Sequence, residues 1–260
     1  MDIIVCLKQV PDLQQIRIKK ETREAVTEGV PFVFGEMDKN ALEEAVKIKE
    51  KAGGKVTVIS IGSPKLRDTI KEALAAGADE ARIMVDPSYD TLDSGAKVAL
   101  LTAAIQKTGP FDLIFLGEGS ADNYSGQTGP RLALTLKLPL LSYVKQIEAS
   151  NGVARAVRNM EQSLDTVEAK MPAVVTVTSG INVPRIPSLM QILRASKKPI
   201  VEWKPVDVAV SPDAASQKQV AVISNLAPVE QRKGVILEGA QEENLDTLVN
   251  SLVKEGVLRS

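Results

Sequence analysis

The segment GEGSADNYSGQTGP, residues 117–130, indicates how this chain folds. It follows a short apolar run at residues 113–116 and precedes a helical pattern at residues 131–136. A buried strand, a small polar loop and a helix start, in that order, form an anion or nucleotide cradle, because the first N–H groups of the helix are unpaired and its dipole is positive there. The glycines let a ligand approach the backbone closely. Loops of this composition also serve as plain connections, so the rest of the chain has to decide between the two interpretations.

Strand and helix patterns alternate on the N-terminal side of this loop. Such alternation predicts a doubly wound, mainly parallel α/β sheet with helices on both faces and right-handed crossovers. Ligands of these sheets bind at the carboxyl ends of the strands, so residues 7–8, 61–62 and the loop from residue 117 should meet at one crevice. The predicted strands are residues 2–7, 56–61, 81–85 and 112–116, and the predicted helices are residues 39–52, 63–76 (with Ser63 as N-cap), 91–107 and 131–136, with a surface hairpin at residues 16–27.

The pattern changes after Pro139. Extended segments joined by an Asn151-Gly152 turn give way to a proline-punctuated stretch from Val201 that has no clear helical period before Glu242. A long irregular stretch is unusual inside one compact domain. We therefore predict an α/β nucleotide- or flavin-binding domain at residues 1–200 and, at residues 201–260, an arm with a terminal helix that embraces another subunit. The predicted elements are strands at 141–149, 154–159, 166–169 and 173–178, and helices at 188–196 and 244–254.

The composition excludes several classes of function. The net charge of −1 and the 3% aromatic content argue against nucleic-acid binding, and no apolar window has the length of a membrane span, so no direct membrane insertion is expected. The chain has no histidine, which removes the Ser-His-Asp triad, the common zinc sites and the usual general base at neutral pH. We therefore expect no catalytic side chain and no metal site, and the chemistry should come from a bound cofactor.

Cys6 is the only cysteine and lies inside the first apolar run. A disulfide within the chain is excluded, and a reduced cytoplasm is the natural setting. The N-terminus runs directly into a strand pattern without a signal-peptide pattern, which also favours a cytoplasmic location.

Five segments, in order and over essentially the whole length, resemble the beta subunit of electron-transfer flavoproteins. They are VCLKQVPD (5–12), DKNALEEA (38–45), LGEGSADNYSGQTG (116–129), MPAVVT (171–176) and NVPR (182–185) continuing to Lys198. The chain departs from the family pattern at Gly35-Glu36, where many relatives have Asn-Pro, and at Gln162-Ser163. The resemblance implies an α/β nucleotide-binding fold, an obligatory alpha-subunit partner and electron transfer through flavin.

The family exists in two versions. In one, the beta subunit holds AMP as a structural ligand, and a single FAD carries electrons from acyl-CoA dehydrogenases. In the other, the beta subunit holds a second FAD that accepts a hydride from NADH and divides the electrons between a ferredoxin-like, low-potential acceptor and a high-potential acceptor, with a quinone reductase among the possible partners. Asp38-x-Asn40 and Asp122-Asn123-Tyr124 resemble the second version. FAD is therefore the expected cofactor and AMP the alternative.

The predicted cofactor contacts come from several strand ends. Gln127 and Thr128 stand where N–H donors to a pyrophosphate are expected. Asp122 should accept from a ribose or ribityl hydroxyl, or hold the loop as an Asx turn. Asp38 is expected as a helix N-cap that can also face the ligand, and Lys8 as a phosphate or carbonyl partner or a solvated lysine. The full predicted set is Cys6, Lys8, Met37, Asp38, Asn40, Ile61, Gly62, Gly117, Gly119, Ser120, Ala121, Asp122, Tyr124, Ser125, Gly126, Gln127 and Thr128.

Leu189 matches the family's partner-recognition loop, in which an exposed leucine contacts the acyl-CoA dehydrogenase; the alternative is a core leucine of a short helix. A third hypothesis from another class is a stand-alone ATP- or AMP-binding signalling module of the universal-stress type. That hypothesis explains the sheet and the loop, but it leaves the long C-terminal arm without a role.

Overall fold

Strands and helices alternate along the first 140 residues of the computed structural model, which describes residues 1–210, 220–229, 234–239 and 241–258. The strands are β1 (Asp2–Leu7), β2 (Gln9–Pro11), β3 (Arg17–Ile18), β4 (Ala25–Val26), β5 (Phe32–Phe34), β6 (Lys55–Gly62), β7 (Glu80–Val85), β8 (Leu113–Gly117), β9 (Leu140–Ser150), β10 (Val153–Asn159), β11 (Leu164–Lys170), β12 (Ala173–Val177) and β13 (Ile200–Trp203). The helices are α1 (Glu36–Ala52), α2 (Leu66–Ala75), α3 (Ser94–Thr108), α4 (Thr128–Leu136), α5 (Leu189–Ala195) and α6 (Gln241–Lys254).

The main sheet has nine strands in the order β11-β10-β9-β12-β8-β1-β6-β7-β13. The seven strands β9-β12-β8-β1-β6-β7-β13 pair in parallel with their neighbours. Strand β10 is antiparallel to both β9 and β11. The predicted doubly wound, mainly parallel sheet is therefore confirmed. Strand β1 lies between β8 and β6, and its Ile3 is opposite both Leu113 and Val56. The next strands of this sheet in sequence, β6 and β7, lie on one side of β1 and β8 lies on the other, so the strand order reverses at β1. This is the position at which ligands of such sheets bind.

The core is divided into two layers by the sheet. Alternate residues of β1 point to opposite faces, as the two-residue period of a strand requires. Ile3 and Val5 belong to the cluster under α1 and α2, whereas Ile4 and Cys6 belong to the cluster under α3 and α4. Both faces of β1 are thus covered, which explains why its sequence is apolar at every position after Asp2.

The predicted starts of α1, α2 and α3 are wrong. Helix α1 begins at Glu36, so Asp38 lies inside its first turn and is not its N-cap; the N-cap is Gly35, which makes no side-chain cap. Helix α2 begins at Leu66, and the buried hydroxyl of Ser63 has no hydrogen-bond partner among the described residues. Helix α3 begins at Ser94, where Asp93 caps the N–H of Ala96 at 2.9 Å. The expected start at residue 91 falls in a preceding 3-10 turn.

The antiparallel extension β9-β10-β11 follows the prediction closely. Its first turn is formed by Asn151 and Gly152, both with positive φ (50° and 77°), as a two-residue hairpin turn requires.

No helix of the described residues has the length and apolar character needed to cross a membrane.

Strand β13 was not predicted. It pairs in parallel with β7, so the sheet continues to Trp203. Beyond it, Val220 donates from its N–H to the carboxylate of Asp93 at 3.1 Å, and Ala227 donates to the carbonyl of Arg23 at 2.9 Å.

The division into a domain at residues 1–200 and an arm at residues 201–260 stays a prediction. Part of the predicted arm (211–219, 230–233, 240 and 259–260) lies outside the described residues.

Gly77 and Gly109 provide a matched test of packing between α2 and α1. Both have φ beyond +100°, but a Cβ at Gly77 would lie 2.8 Å from Cγ1 of buried Val46, whereas nothing lies within 4 Å of one at Gly109. Gly77→Ala should therefore lower the free energy of unfolding by about 1–3 kcal/mol more than Gly109→Ala, because overpacking adds to the backbone strain. Urea unfolding of the purified protein measures the difference, and equal losses would contradict it.

Candidate functional site

The carboxyl ends of β1, β6 and β8 and the amino ends of α3 and α4 enclose a cleft of about 890 Å³. Its volume lies in the upper part of the range of ligand pockets, about 300–1,000 Å³. The structure brings most of the predicted site residues to this cleft. They are Cys6, Lys8, Asp38, Ile61, Gly117, Gly119, Ser120, Asp122, Ser125, Gly126, Gln127 and Thr128.

Five predicted residues are not among those that line the cleft. Asn40 is buried, and its amide nitrogen donates to the carbonyl of Asn182 at 2.8 Å and to its side-chain oxygen at 3.1 Å. Asn182 donates in return to the carbonyl of Asn40 at 3.0 Å, so this pair joins α1 to the segment that leads to α5. The other four are Met37, Gly62, Ala121 and Tyr124.

Asp38 holds two strand ends together. Its buried carboxylate accepts from the N–H of Lys8 at 2.6 Å and from the N–H of Gly117 at 3.2 Å. Burial raises the pKa of Asp38 to about 6, and the two N–H donors and the Lys8 ammonium only partly offset this effect. Asp38 thus shapes the floor of the cleft by fixing the backbone after β1 and β8.

Lys8 and Asp122 form an ion pair at the mouth of the loop. The ammonium lies 2.6 Å from both carboxylate oxygens and donates to the hydroxyl of Ser120 at 3.2 Å. Burial acts to raise the pKa of Asp122, but the hydrogen bond from Lys8 leaves that pKa below its ordinary value. Lys8 is therefore paired rather than solvated, and its charge is largely neutralised within the protein.

The loop between β8 and α4 is shaped from outside by Tyr124. Its φ is 43°, its hydroxyl donates to the carboxylate of Glu118, and its ring covers Gly119, where a Cβ would lie 3.0 Å from ring atom Cδ2. The hydrogen bond with Glu118 raises the pKa of Tyr124 to about 12. Tyr124 therefore keeps its proton at neutral pH and packs on the loop at Gly119, where a Cβ would crowd the ring.

Helix α4 presents its amino end to the cleft. Gln127 is its N-cap and makes no side-chain cap, so among the described residues the first N–H groups of the helix are left without a side-chain acceptor. The side-chain oxygen of Gln127 instead accepts from the hydroxyl of Ser94 at 3.3 Å and brings the start of α3 against the start of α4.

Sequence reasoning missed one wall of the cleft. The start of α3 was predicted at residue 91, three residues before its first residue, Ser94. The first turn of α3 was therefore not recognised as part of the cleft wall. The segment 220–222 of the arm was also missed, since nothing in its local sequence indicates which strand ends it approaches. The missed lining residues include Asp90, Thr91, Leu92, Asp93, Ser94, Lys97, Leu101, Val220, Ala221 and Val222.

Leu189 lies far from the cleft in sequence and begins α5. It is 72% exposed, and its helix buries only Ala195, so the alternative of a core leucine is wrong. Ser188 and Gln191 close a capping box at the start of this helix. Upstream, Arg185 pairs with Glu43 of α1 at 2.8 Å, which attaches the segment before α5 to the sheet-covering helix.

Comparisons with known proteins give one consistent result. Residues 22–208 match the family model described as "Electron transfer flavoprotein domain". A protein named electron transfer flavoprotein subunit beta from Thermoanaerobacterium thermosaccharolyticum is 36% identical over 261 residues, covering 99% of this chain and 100% of the relative. One of the same name from Clostridium acetobutylicum is 37% identical over 210 residues, 81% of each chain. The caffeyl-CoA reductase–Etf complex subunit CarD of Acetobacterium woodii is 33% identical, covering 99% of this chain and 100% of the relative.

The raised pKa of Asp38 predicts a specific dependence of stability on pH. Its rise from the ordinary value of 3.8 to about 6 means that the folded state binds more protons than the unfolded state between these values. The stability contributed by Asp38 should therefore fall by about 2–3 kcal/mol as the pH rises from 4 to 7. The measurement is the difference in free energy of unfolding between the wild type and Asp38→Asn over this range. Asp246→Asn, at an exposed position of α6, controls for the loss of one charge, and a pH-independent difference would contradict the prediction.

Proposed function

Since the chain belongs to the electron transfer flavoprotein family, as a beta subunit that pairs with an alpha subunit, we propose that its cleft binds FAD. The bound flavin would accept electrons from NADH for division between a ferredoxin-like, low-potential acceptor and a high-potential acceptor. Members of the family generally bind flavin or AMP, so the choice between these two ligands is the central point of the proposal. The match over the whole chain excludes the stand-alone universal-stress type of module.

The groups that line the cleft fit a phosphate-bridged nucleotide. The observation that carries the proposal is the uncapped amino end of α4, which faces a cleft of about 890 Å³ at the point where the strand order reverses. Unpaired N–H groups at a helix start favour phosphate oxygens. The hydroxyls of Ser120 and Ser125 line the same space and can donate to further ligand oxygens. A volume near the top of the usual range favours a dinucleotide over a mononucleotide.

FAD supplies the redox chemistry when it is bound, and the chain supplies binding, orientation and electrostatics. Asp38 keeps the backbone after β1 and β8 in place, and the Lys8–Asp122 pair holds the loop against the end of β1. Burial, together with the charge of Asp38, raises the pKa of Cys6 to about 12. Its thiol therefore stays protonated at neutral pH and lines the cleft as a neutral group. Because Cys6 is the only cysteine of the chain, we also propose a reduced, cytoplasmic setting.

The partners of the assembly follow from the family and from the exposed end of α5. The name of the relative CarD refers to a complex that contains a reductase of a CoA ester. We propose that Leu189, with the neighbouring exposed apolar residues of α5, contacts an acyl-CoA dehydrogenase or a related flavoprotein. A ferredoxin or a quinone reductase would then take electrons elsewhere on the heterodimer.

One observation favours the alternative, in which this subunit binds AMP as a structural ligand and the heterodimer carries electrons from acyl-CoA dehydrogenases on a single FAD. Asn40 belongs to the Asp38-x-Asn40 pattern that resembles the FAD-binding version, yet it is bound to Asn182 and does not line the cleft. A pattern whose second residue has another task is weaker support for FAD.

The nucleotide content of the purified heterodimer separates the two versions. After denaturation, chromatography of the released nucleotides should give two FAD per heterodimer and no AMP. One FAD with one AMP would contradict the proposal in favour of the alternative, and absence of adenine nucleotides from this chain would contradict both. Anaerobic reduction by NADH, followed by flavin absorbance, tests the proposed donor on the same sample.

Leu189→Glu should lower the rate of electron transfer between the heterodimer and an acyl-CoA dehydrogenase by at least about tenfold, because it replaces an exposed apolar contact with a charge. Nucleotide content and unfolding should be unchanged, since the side chain is exposed. Leu164→Glu, at an exposed leucine of β11, is the matched control. Equal rates for the two variants in a dye-linked or flavin-absorbance assay would contradict a role of Leu189 in docking.

A further inference from the structure

Lys97 occupies the wall of the cleft that belongs to α3. It follows Ser94 by three residues and precedes Leu101 by four, so the three side chains share one face of the helix. All three line the cleft. The backbone of Lys97 therefore lies about 4.5 Å along the helix axis from that of Ser94, whose hydroxyl contacts Gln127 at the start of α4.

The position of Lys97 is unfavourable for a cation in the absence of a ligand. It lies in the first turn of a 15-residue helix, where the dipole is positive. It is partly buried, and burial, followed by the nearby charge of Lys8, lowers its pKa. An unpaired cation in such surroundings lowers the stability of the folded chain. A lysine at this position is therefore better explained by a contact with an anionic ligand than by a contribution to folding.

The acidic groups around Lys97 do not pair with it. Asp122 is held by Lys8 at 2.6 Å, and Asp93 caps Ala96 and accepts from Val220. The charges of Asp122, Asp90 and Asp93 act to raise the pKa of Lys97, but the net shift is still downward. Within the described part of the chain, no hydrogen bond or ion pair of the Lys97 ammonium is found. Lys8 and Lys97 thus differ: the first is paired with Asp122, and the second lines the cleft without a direct carboxylate partner among the described residues.

We propose that Lys97 determines specificity by binding the second phosphate of a diphosphate-containing nucleotide, which AMP lacks. The inference rests on the proposed nucleotide site. If the first phosphate binds at the amino end of α4, the contact between Ser94 and Gln127 puts the first turn of α3 beside it. Lys97 lines the same wall of the cleft, so its ammonium is available to the phosphate that follows the first one in the ligand. A phosphate there gives the ammonium a charge-assisted partner, which none of the described residues supplies.

Binding of AMP and ADP to the heterodimer tests this role, because ADP carries the second phosphate without the flavin. The heterodimer is freed of nucleotide by dialysis against a chaotropic salt, and binding is measured by titration calorimetry. Lys97→Gln should weaken ADP binding roughly 10- to 100-fold and change AMP binding less than about twofold. Lys97→Arg, which keeps the charge, should retain most of the preference for ADP. Because every substitution is in this chain, differences between variants report on this cleft.

Two further measurements separate a ligand contact from a structural role. The nucleotide-free Lys97→Gln heterodimer should melt at the same temperature as the wild type or higher, because a cation is removed from the positive end of a helix. Lys47→Gln, at an exposed position of α1 outside the cleft, makes the same change of charge and should leave both affinities unchanged.

Several results would overturn the proposal. If Lys97→Gln weakens the binding of AMP and of ADP equally, Lys97 contacts the first phosphate or has a structural role. If the variant binds ADP as tightly as the wild type, Lys97 contacts neither phosphate. The same loss in Lys47→Gln would reduce the effect to overall charge. If the wild-type heterodimer binds neither nucleotide, the proposed site fails together with this inference, whereas unchanged ADP binding by Lys97→Gln leaves the site intact.

Discussion

The buried carboxylate of Asp38 is the contact on which the shape of the cleft depends. It joins three elements that are distant in the chain: the first turn of α1, the end of β1 through the N–H of Lys8, and the end of β8 through the N–H of Gly117. A carboxylate is costly to bury, and here the cost is partly offset by two backbone donors that would otherwise lack an acceptor. The polar loop after β8 therefore starts from a fixed point, and so do Lys8 and the ion pair that holds this loop.

The overall charge of the chain says little about the charge of its ligand. With a net charge of −1, the protein still gathers the amino ends of two helices and two lysines at one cleft. Asp122 neutralises one of these lysines, so the local field is set by where each acid is placed rather than by the number of acids. This arrangement is compatible with an anionic cofactor and explains why composition alone could not identify the ligand.

The parallel sheet and most of its strands could be predicted from sequence, because runs such as residues 2–7 and 113–116 are apolar enough to be buried on both faces. The errors arose where a distant contact overrides a local preference. Asp38 and Ser63 are residue types that often cap helices. The carboxylate of Asp38 instead accepts from the N–H of Lys8 at the end of β1, and α2 begins at Leu66, three residues after Ser63. Strand β13 is short and pairs with β7, more than a hundred residues earlier. The pairing of Asn40 with Asn182 has no local signal either, and it removed a predicted site residue from the cleft.

The segment from Val220 to Ala227 runs from the wall of the cleft to the turn between β3 and β4. It is attached to Asp93 at one end and to Arg23 of the turn between β3 and β4 at the other, with Leu226 bridging to Glu24 between them. Val220, Ala221 and Val222 are part of the cleft wall. Part of the cleft wall is therefore supplied by a segment whose valine side chains are largely exposed and which a few backbone hydrogen bonds, rather than burial in the core, keep in place.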